Sequence, residues 1–199
     1  MLPYPHMDRR WILGGVLLAG GVGVARTISE RPRLEDDSRV LLIGDSFGKG
    51  LGRHFQALAI DESTPFIGAA VPGSSCAHWA ASNWLLEKLE SFEPTHVLIS
   101  LGTADAYSEE LPEAVAGAAD EISELIEEHE AHAIWIGSPN LPNSFGNKPL
   151  QTETLLALKS VAPYYYESSD LDIPRGPDGF HPTAIGYAGW AAMIWNWLS

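Results

Sequence analysis

The chain of 199 residues is 45% hydrophobic and 19% charged, which is the composition of an ordinary globular protein with room for one sizeable core. Its net charge of −14 and isoelectric point near 4.7 argue against nucleic acid or an anionic membrane surface as a partner, because both require a positive footprint. Neutral or cationic substrates suit such a chain better.

The first 25 residues have the layout of an export signal. Arg9 and Arg10 precede an uncharged, glycine-rich apolar run that extends from Trp11 to Ala25. This run is short against the roughly 20 residues that a membrane-spanning helix needs, so a secretion signal is favoured over a permanent anchor. The paired arginines resemble a bacterial twin-arginine signal, although the usual lysine is absent. We predict a periplasmic or secreted protein that contacts the membrane only if this segment stays uncleaved.

The rest of the chain divides into a short connection and one domain. Residues 26–38 are polar and lack hydrophobic periodicity, so they are predicted to be a linker that leads into a domain at 39–199. Cys76 is the only cysteine, so no intramolecular disulfide can form, and we expect it to be a small buried residue.

Apolar strand patterns and helical patterns alternate through this domain. Strands are predicted at residues 40–43, 65–71, 97–101, 133–136 and 164–166. Helices are predicted at 47–60, 76–92, from Pro112 onward, 154–161 and 183–198. The alternation implies a parallel sheet covered by helices on both faces, and such sheets bind ligands at the carboxyl ends of their strands. The loops that begin at Gly44, Gly73, Gly102 and Pro139 should therefore gather on one rim.

Ser46 lies in the sequence Gly-Asp-Ser-Phe-Gly directly after the first predicted strand, and Asp178 and His181 lie in Asp-Gly-Phe-His-Pro near the C-terminus. A serine hydroxyl becomes an effective nucleophile when a base takes its proton, and a carboxylate holds the imidazole base in the right tautomer. His181 can be the base and Asp178 its partner on the same loop. Each fragment alone is a common turn, but together, at the ends of predicted strands, they favour a serine hydrolase.

Four blocks in chain order resemble the SGNH (GDSL-type) hydrolase family. They are Gly-Asp-Ser after the first strand, Val-Pro-Gly at 71–73, Gly-Thr-Ala-Asp at 102–105 and Asp-Gly-Phe-His-Pro at 178–182. The resemblance covers residues 39–199 and implies a flavodoxin-like three-layer α/β/α sandwich with a central parallel sheet, and ester hydrolysis without a cofactor. It also implies Ser46 as the nucleophile, His181 as the base and Asp178 as its partner, with the backbone amides of Ser46 and Gly73 as oxyanion donors.

One block departs from the family pattern. Ala104 stands where the family carries an asparagine, whose side-chain amide is expected to donate to the oxyanion. Losing one such donor costs about 10²–10³ in kcat. Asn140, Asn143 or the hydroxyl of Thr103 could supply a replacement, while plain turn chemistry is the alternative interpretation of both asparagines.

Several other features are compatible with more than one interpretation. Gly44 to Gly48 also matches the Gly-x-Ser-x-Gly elbow of α/β-hydrolases, but this serine follows the first strand of its domain and the acid and base share one loop, so we interpret the match as coincidence. The histidines show no metal-ligand pattern, and no metal is predicted. Four side chains could either line a pocket or pack in the interior: His78, Trp79, Tyr107 and Phe145. The tryptophans of the last helix are expected in the core: Trp190, Trp195 and Trp197.

The sequence therefore predicts an exported serine esterase that acts on a small acyl ester, with an O-acetyl group on a glycan as one candidate. The suggestion of a glycan substrate is based on the family resemblance and on the predicted export, and not on any residue. The alternative is a catalytically impaired relative that binds a glycan or a partner in the same cleft. Ala104 supports that alternative, and the presence of Ser46, Asp178 and His181 opposes it.

Overall fold

The computed structural model describes residues 31–108, 110–141 and 148–199, with only the backbone described at 148–150. The predicted signal at 1–25 lies outside this part of the chain, and so do Asn143 and Phe145. The strands are β1 (Val40–Gly44), β2 (Phe66–Gly68), β3 (His96–Ser100), β4 (His132–Ile136) and β5 (Tyr164–Tyr166). The helices are α1 (Ser46–Asp61), α2 (Cys76–Ala81), α3 (Trp84–Phe92), α4 (Thr103–Ala106), α5 (Pro112–Glu128), α6 (Lys148–Val161) and α7 (Ala184–Leu198).

The five strands form one parallel sheet in the order β2-β1-β3-β4-β5. Every residue of β1 and β3 is buried, as expected for central strands that are covered on both faces. On one face Val40 and Leu42 pack with α1 and α7, and on the other face Leu41 and Ile43 pack with α2, α3 and α5. The predicted three-layer α/β/α sandwich is therefore confirmed.

Some element boundaries differ from the prediction. The segment predicted as one helix at 76–92 is two helices, because Ser82 takes an extended conformation and its hydroxyl donates to the carbonyl of Trp79. The predicted strand at 65–71 is regular only over 66–68, although the N–H groups of Ala69 and Val71 still donate to β1. Helix α6 begins at Lys148, six residues before its predicted start at Thr154. Helix α4 was not predicted at all.

The described part of the predicted linker contacts the domain. Pro32 and Ser38 are buried, and the N–H of Leu34 donates to the carbonyl of Leu198 at 2.8 Å. The ring of His96, the first residue of β3, is hydrogen-bonded to the carbonyl of Arg33. Residues 31–38 therefore pack against the edge of the sheet where its strands begin.

The last helix packs its aromatic residues inward, as predicted for Trp190 and Trp195, which are both buried. Trp197 is half-buried and contacts the ring of Tyr166 edge-on. Of the helices that the structure describes, none has both the length and the apolar character to cross a bilayer.

Candidate active site

The predicted nucleophile lies on a tight turn between β1 and α1. Asp45 caps the helix, with its Oδ1 accepting the N–H of Phe47 at 2.8 Å, and Ser46 is the first helical residue. Gly44 is required because β3 passes so close that a Cβ at this position would lie 2.6 Å from the carbonyl oxygen of Ser100. This turn holds Ser46 at the carboxyl edge of the sheet, where parallel sheets bind their ligands.

The structure brings together the three side chains that the sequence predicts as catalytic. Nε2 of His181 is 3.0 Å from Oγ of Ser46, and Nδ1 of His181 is 2.8 Å from Oδ2 of Asp178. The other oxygen of Asp178 accepts the N–H groups of Phe180 and His181 at 2.9 and 3.0 Å. The hydroxyl, the imidazole and the carboxylate thus form one hydrogen-bonded row, as the mechanism of a serine hydrolase requires.

The electrostatics of this row favour the working tautomer. The hydrogen bond from His181, followed by the N–H of Phe180, lowers the pKa of Asp178 to about 2, so its carboxylate is ionised at neutral pH. An ionised carboxylate selects the imidazole tautomer that carries its proton on Nδ1. Nε2 is then free to accept the proton of Ser46.

Arg175 fixes the loop that carries His181, the predicted base, and sequence reasoning did not single it out. Its guanidinium donates to the carbonyl of Phe180 and, at 2.6 Å, to the carbonyl of Asn140 in the loop after β4. The same group lies over the ring of Phe47, 5.9 Å from its centroid. Arg175 therefore ties the His181 loop to two other parts of the rim. No motif surrounds this arginine, so no sequence signal could have found it.

The turn that carries Gly73 follows β2 on the same edge of the sheet. Gly73 has a φ of +78°, which glycine adopts without strain. The hydroxyl of Ser74 donates to the carbonyl of Val71 at 2.8 Å and accepts the indole N–H of Trp79 at 2.9 Å. Trp79 is therefore a buried packing residue that fastens this turn, whereas His78 is exposed and caps α2 together with Ser75.

Ala104 lies half-buried in α4, and its backbone N–H points toward Oδ2 of Asp45 at 3.4 Å. The hydroxyl of Thr103 is hydrogen-bonded to the hydroxyl of Ser138 at 2.7 Å, and both side chains are buried. Asn140 is exposed, and its carbonyl accepts the bond from Arg175. Of the three candidate replacement donors, Thr103 is therefore hydrogen-bonded to Ser138, and Asn140 is exposed on the loop that Arg175 contacts. The third candidate, Asn143, lies outside the described residues.

Two buried carboxyl groups lie behind the serine turn. Burial raises the pKa of Asp45 to about 6, against the opposing effect of the N–H groups that it accepts. Asp105 accepts the N–H of Cys76 at 2.9 Å, and burial raises its pKa as well. Through these bonds the two acids connect the starts of α1, α2 and α4. Their positions in the Gly-Asp-Ser and Gly-Thr-Ala-Asp blocks were the available signal.

Cys76 is buried, and burial raises the pKa of its thiol, so it is not poised to act as a nucleophile. Within the residues that the structure describes, no cluster of three or more histidine, cysteine, aspartate or glutamate side chains could hold a metal ion.

The described chain is a parallel α/β/α sandwich that carries the serine, histidine and aspartate of the hydrogen-bonded row at the carboxyl edge of its sheet. Its fold is that of GDSL-type lipases and acylhydrolases. The chain superimposes on a psychrotrophic esterase, EstA, from Pseudoalteromonas, solved with the inhibitor monoethylphosphonate, at a TM-score of 0.68 and 19% identity, over 81% of this chain and 99% of that one.

Two further solved structures give the same picture. TesA matches at a TM-score of 0.67 and 20% identity, over 81% of this chain and 98% of its own. A GDSL-like lipase from Bacteroides thetaiotaomicron matches at a TM-score of 0.65 and 17% identity, over 87% of this chain and 93% of its own. No protein-family model and no curated protein matches the sequence. The similarity thus lies in the fold, and the function has to be argued from the residues of the site.

Proposed function

We propose that this protein is an exported serine esterase of the SGNH type that hydrolyses a small acyl ester. The observation that carries the proposal is the hydrogen-bonded row from Ser46 through His181 to Asp178, with distances of 3.0 and 2.8 Å. Such a row activates a serine hydroxyl without any cofactor.

The reaction proceeds in two halves. His181 accepts the proton of Ser46 as the serine Oγ attacks the ester carbonyl, and Asp178 stabilises the imidazolium that forms. The tetrahedral intermediate collapses, the alcohol leaves with the proton from His181, and the acyl group stays on Ser46. Water then attacks the acyl enzyme with His181 again as the base, which releases the carboxylic acid and restores the serine.

Stabilisation of the oxyanion in the intermediate is the weaker part of this mechanism. The backbone amides of Ser46 and Gly73 are the proposed donors, and the methyl group of Ala104 adds none. Because one missing donor costs about 10²–10³ in kcat, we expect a slow esterase.

An accessible site supports an ester on a bulky alcohol. The side chains of His181 and Asp178 are 39% and 52% exposed. A small acyl group carried by a large molecule can therefore approach Ser46 without entering a deep cavity. An O-acetyl group on an extracellular glycan is one substrate of this kind, and export by the segment predicted as a signal at 1–25 would bring the protein to such glycans. An uncleaved signal would be the route to a membrane.

Covalent labelling tests the nucleophile. A fluorophosphonate probe should label the folded protein, and p-nitrophenyl acetate should be hydrolysed. Ser46→Ala should abolish labelling and lower hydrolysis by about 10³-fold or more, because the nucleophile is lost. Ser91→Ala, at an exposed serine of α3, is the matched serine control and should keep its label. Labelling that persists in Ser46→Ala would contradict the proposed nucleophile.

Ala104 supports a second candidate, a catalytically impaired domain that binds a glycan or a protein partner in the same cleft. This candidate predicts a folded protein with no labelling and no hydrolysis. The two candidates are therefore separated by the same probe experiment.

A further inference from the structure

A groove of about 310 Å³ runs between α1 and β2 and begins beside the serine turn. Gly48 and Ala70 line its near end, Phe66 lines its far end, and Lys49 and Arg53 lie along its helical side. We call it the α1–β2 groove. Gly48 is two residues from Ser46 and Ala70 is three residues from Gly73, so the groove is lined by the same two chain segments that carry the proposed oxyanion amides.

Small residues keep this groove open. A Cβ at Gly48 would lie 3.3 Å from the Cβ of Ala70 and would begin to close the near end. A Cβ at Gly52, one turn further along α1, would meet only Leu42 at 3.4 Å. Larger side chains at these two positions would fill the space between the helix and the strand.

The charge of the α1–β2 groove is opposite to that of the whole chain. Lys49 and Arg53 are four residues apart, so they lie on the same face of α1. Both are exposed, and neither forms an ion pair with the described part of the chain. None of the described residues that line the groove carries a carboxylate.

Neighbouring grooves are different. Glu87 lies beside Lys88 in the groove on the opposite face of β2, Glu110 lines the groove at α2, and Glu167 lines the one at α6. In a chain of net charge −14, two cations that have neither an ion-pair partner nor a carboxylate beside them in the described part of the groove form a local site of positive potential.

We propose that the α1–β2 groove binds an anionic group of the substrate, a carboxylate or a phosphate, while the ester carbonyl lies at Ser46. This inference rests on the proposed esterase function and defines its substrate class as acyl esters that carry a negative charge. Seven residues separate Ser46 from Arg53, a rise of about 10 Å along the helix, so the anion lies up to that distance from the ester. The overall acidity of the chain repels anions in general, and Lys49 and Arg53 select those that carry a reactive ester nearby.

Matched ester pairs test the proposal on both sides of the ester bond. The acyl side is tested with mono-p-nitrophenyl suberate against its methyl ester, and the alcohol side with 7-acetoxycoumarin-4-acetate against its methyl ester. The wild-type protein should prefer the anionic member of at least one pair by about five- to tenfold in kcat/KM at low ionic strength, because exposed ion pairs are individually weak. Added salt should reduce this preference.

The variants Lys49→Gln and Arg53→Gln should each lower the preference, and the double variant should remove it while hydrolysis of the neutral esters stays unchanged. Lys88→Gln is the matched control and should behave like the wild type. Gly52→Leu should also weaken the preference, since its side chain fills the groove without altering a charge.

The outcomes separate this inference from the proposed function. Equal rates for both members of both pairs, or a preference that the double variant retains, would overturn the inference while the esterase function stands. If no ester is hydrolysed, fluorescence titration of Ser46→Ala with 7-hydroxycoumarin-4-acetate and with 8-hydroxyoctanoate in competition still tests the groove. Binding that is lost in the Lys49→Gln, Arg53→Gln background supports the anion site, and absence of binding overturns it.

Discussion

Ala104 presents a methyl group where the resemblance to SGNH hydrolases implies an asparagine amide, and its own N–H points toward Asp45. The side chain of Thr103 is hydrogen-bonded to Ser138. The proposed nucleophile and base lie within hydrogen-bond reach of each other, whereas the proposed side-chain contribution to the oxyanion hole depends on a single position. This makes the site a good test of how much one donor contributes.

Ala104→Asn should raise kcat on p-nitrophenyl acetate, because its amide supplies a third hydrogen bond to the oxyanion. The full effect of one donor is about 10²–10³, and we expect at least a tenfold gain. Ala104→Asp has a similar shape but carries a negative charge and no N–H at neutral pH, so it should lower kcat. An unchanged rate in Ala104→Asn would show that another group already fills this role.

Asp45 should make stability depend on pH. Burial raises its pKa in the folded protein to about 6, above the value of 3.8 expected for an unfolded chain. Between these values the folded state binds more protons, so the stability from this group is present below about pH 4 and is lost as the pH rises through 6. The loss is on the order of 3 kcal/mol.

Urea unfolding on either side of this pH window measures the effect. Asp45→Asn keeps an N-cap residue but does not titrate, so its unfolding free energy should fall less than that of the wild type between about pH 4 and pH 7. Asp178→Asn is the control. The pKa of Asp178 is lowered to about 2, so its stabilisation is lost only as the pH falls below about 4. Equal slopes for wild type and Asp45→Asn would contradict the assigned cause.

At the scale of elements, the proposed catalytic row depends on a loop that is exposed at its tip and is held by the cation Arg175. Gly176 donates its N–H to the carbonyl of His181 at 2.8 Å, and Arg175 bonds the carbonyls of Phe180 and Asn140. Asp178 and Gly179 at the tip are exposed. The guanidinium therefore positions the His181 loop against the loop after β4.

Arg175→Ala should lower kcat by about tenfold or more with a smaller change in KM, because the imidazole loses its fixed orientation toward Ser46. It should also reduce the free energy of unfolding by about 1–3 kcal/mol, the usual effect of losing hydrogen bonds from a charged group. Arg175→Lys should restore part of the stability but less of kcat, since an ammonium group cannot reproduce the two-branched geometry.

Lys159→Ala is the control for loss of a surface cation. Its ion pair with Glu167 is partly exposed, so its removal should cost at most about 1 kcal/mol and leave kcat unchanged. A kcat in Arg175→Ala equal to that of Lys159→Ala would show that the arginine is not needed for positioning.

Hydrophobic pattern was sufficient to predict the central strands of the core, because the buried centres of β1 and β3 are continuous apolar runs. It failed where local polar contacts decide the conformation. The break at Ser82 comes from a hydroxyl that bonds the backbone, and α4 is only four residues long. Sequence motifs were sufficient to predict Ser46, His181 and Asp178 as site residues. Arg175 could not be predicted, because its contacts exist only in the folded chain.

At the scale of the whole molecule, the structure bears on where the domain begins. Residues 31–199 form one compact unit, which includes the described part, residues 31–38, of the segment predicted as a linker. The N–H of Leu34 donates to the carbonyl of Leu198 at the end of α7, and the carbonyl of Arg33 is hydrogen-bonded to the ring of His96. Burial lowers the pKa of His96 to about 4, so this ring is neutral near pH 7.

A chain that begins at residue 39 should therefore be less stable than one that begins at residue 31. It lacks the buried Pro32 and the bonds from Leu34 and Arg33, and we expect its free energy of unfolding to fall by about 1–3 kcal/mol. Its kcat on p-nitrophenyl acetate should match that of the longer chain, because this segment packs where the strands begin and Ser46 lies where they end. Urea unfolding of both chains at one pH gives the comparison. Identical midpoints would mean that residues 31–38 contribute nothing to the fold, and a lower kcat with unchanged stability would mean that they act on the site.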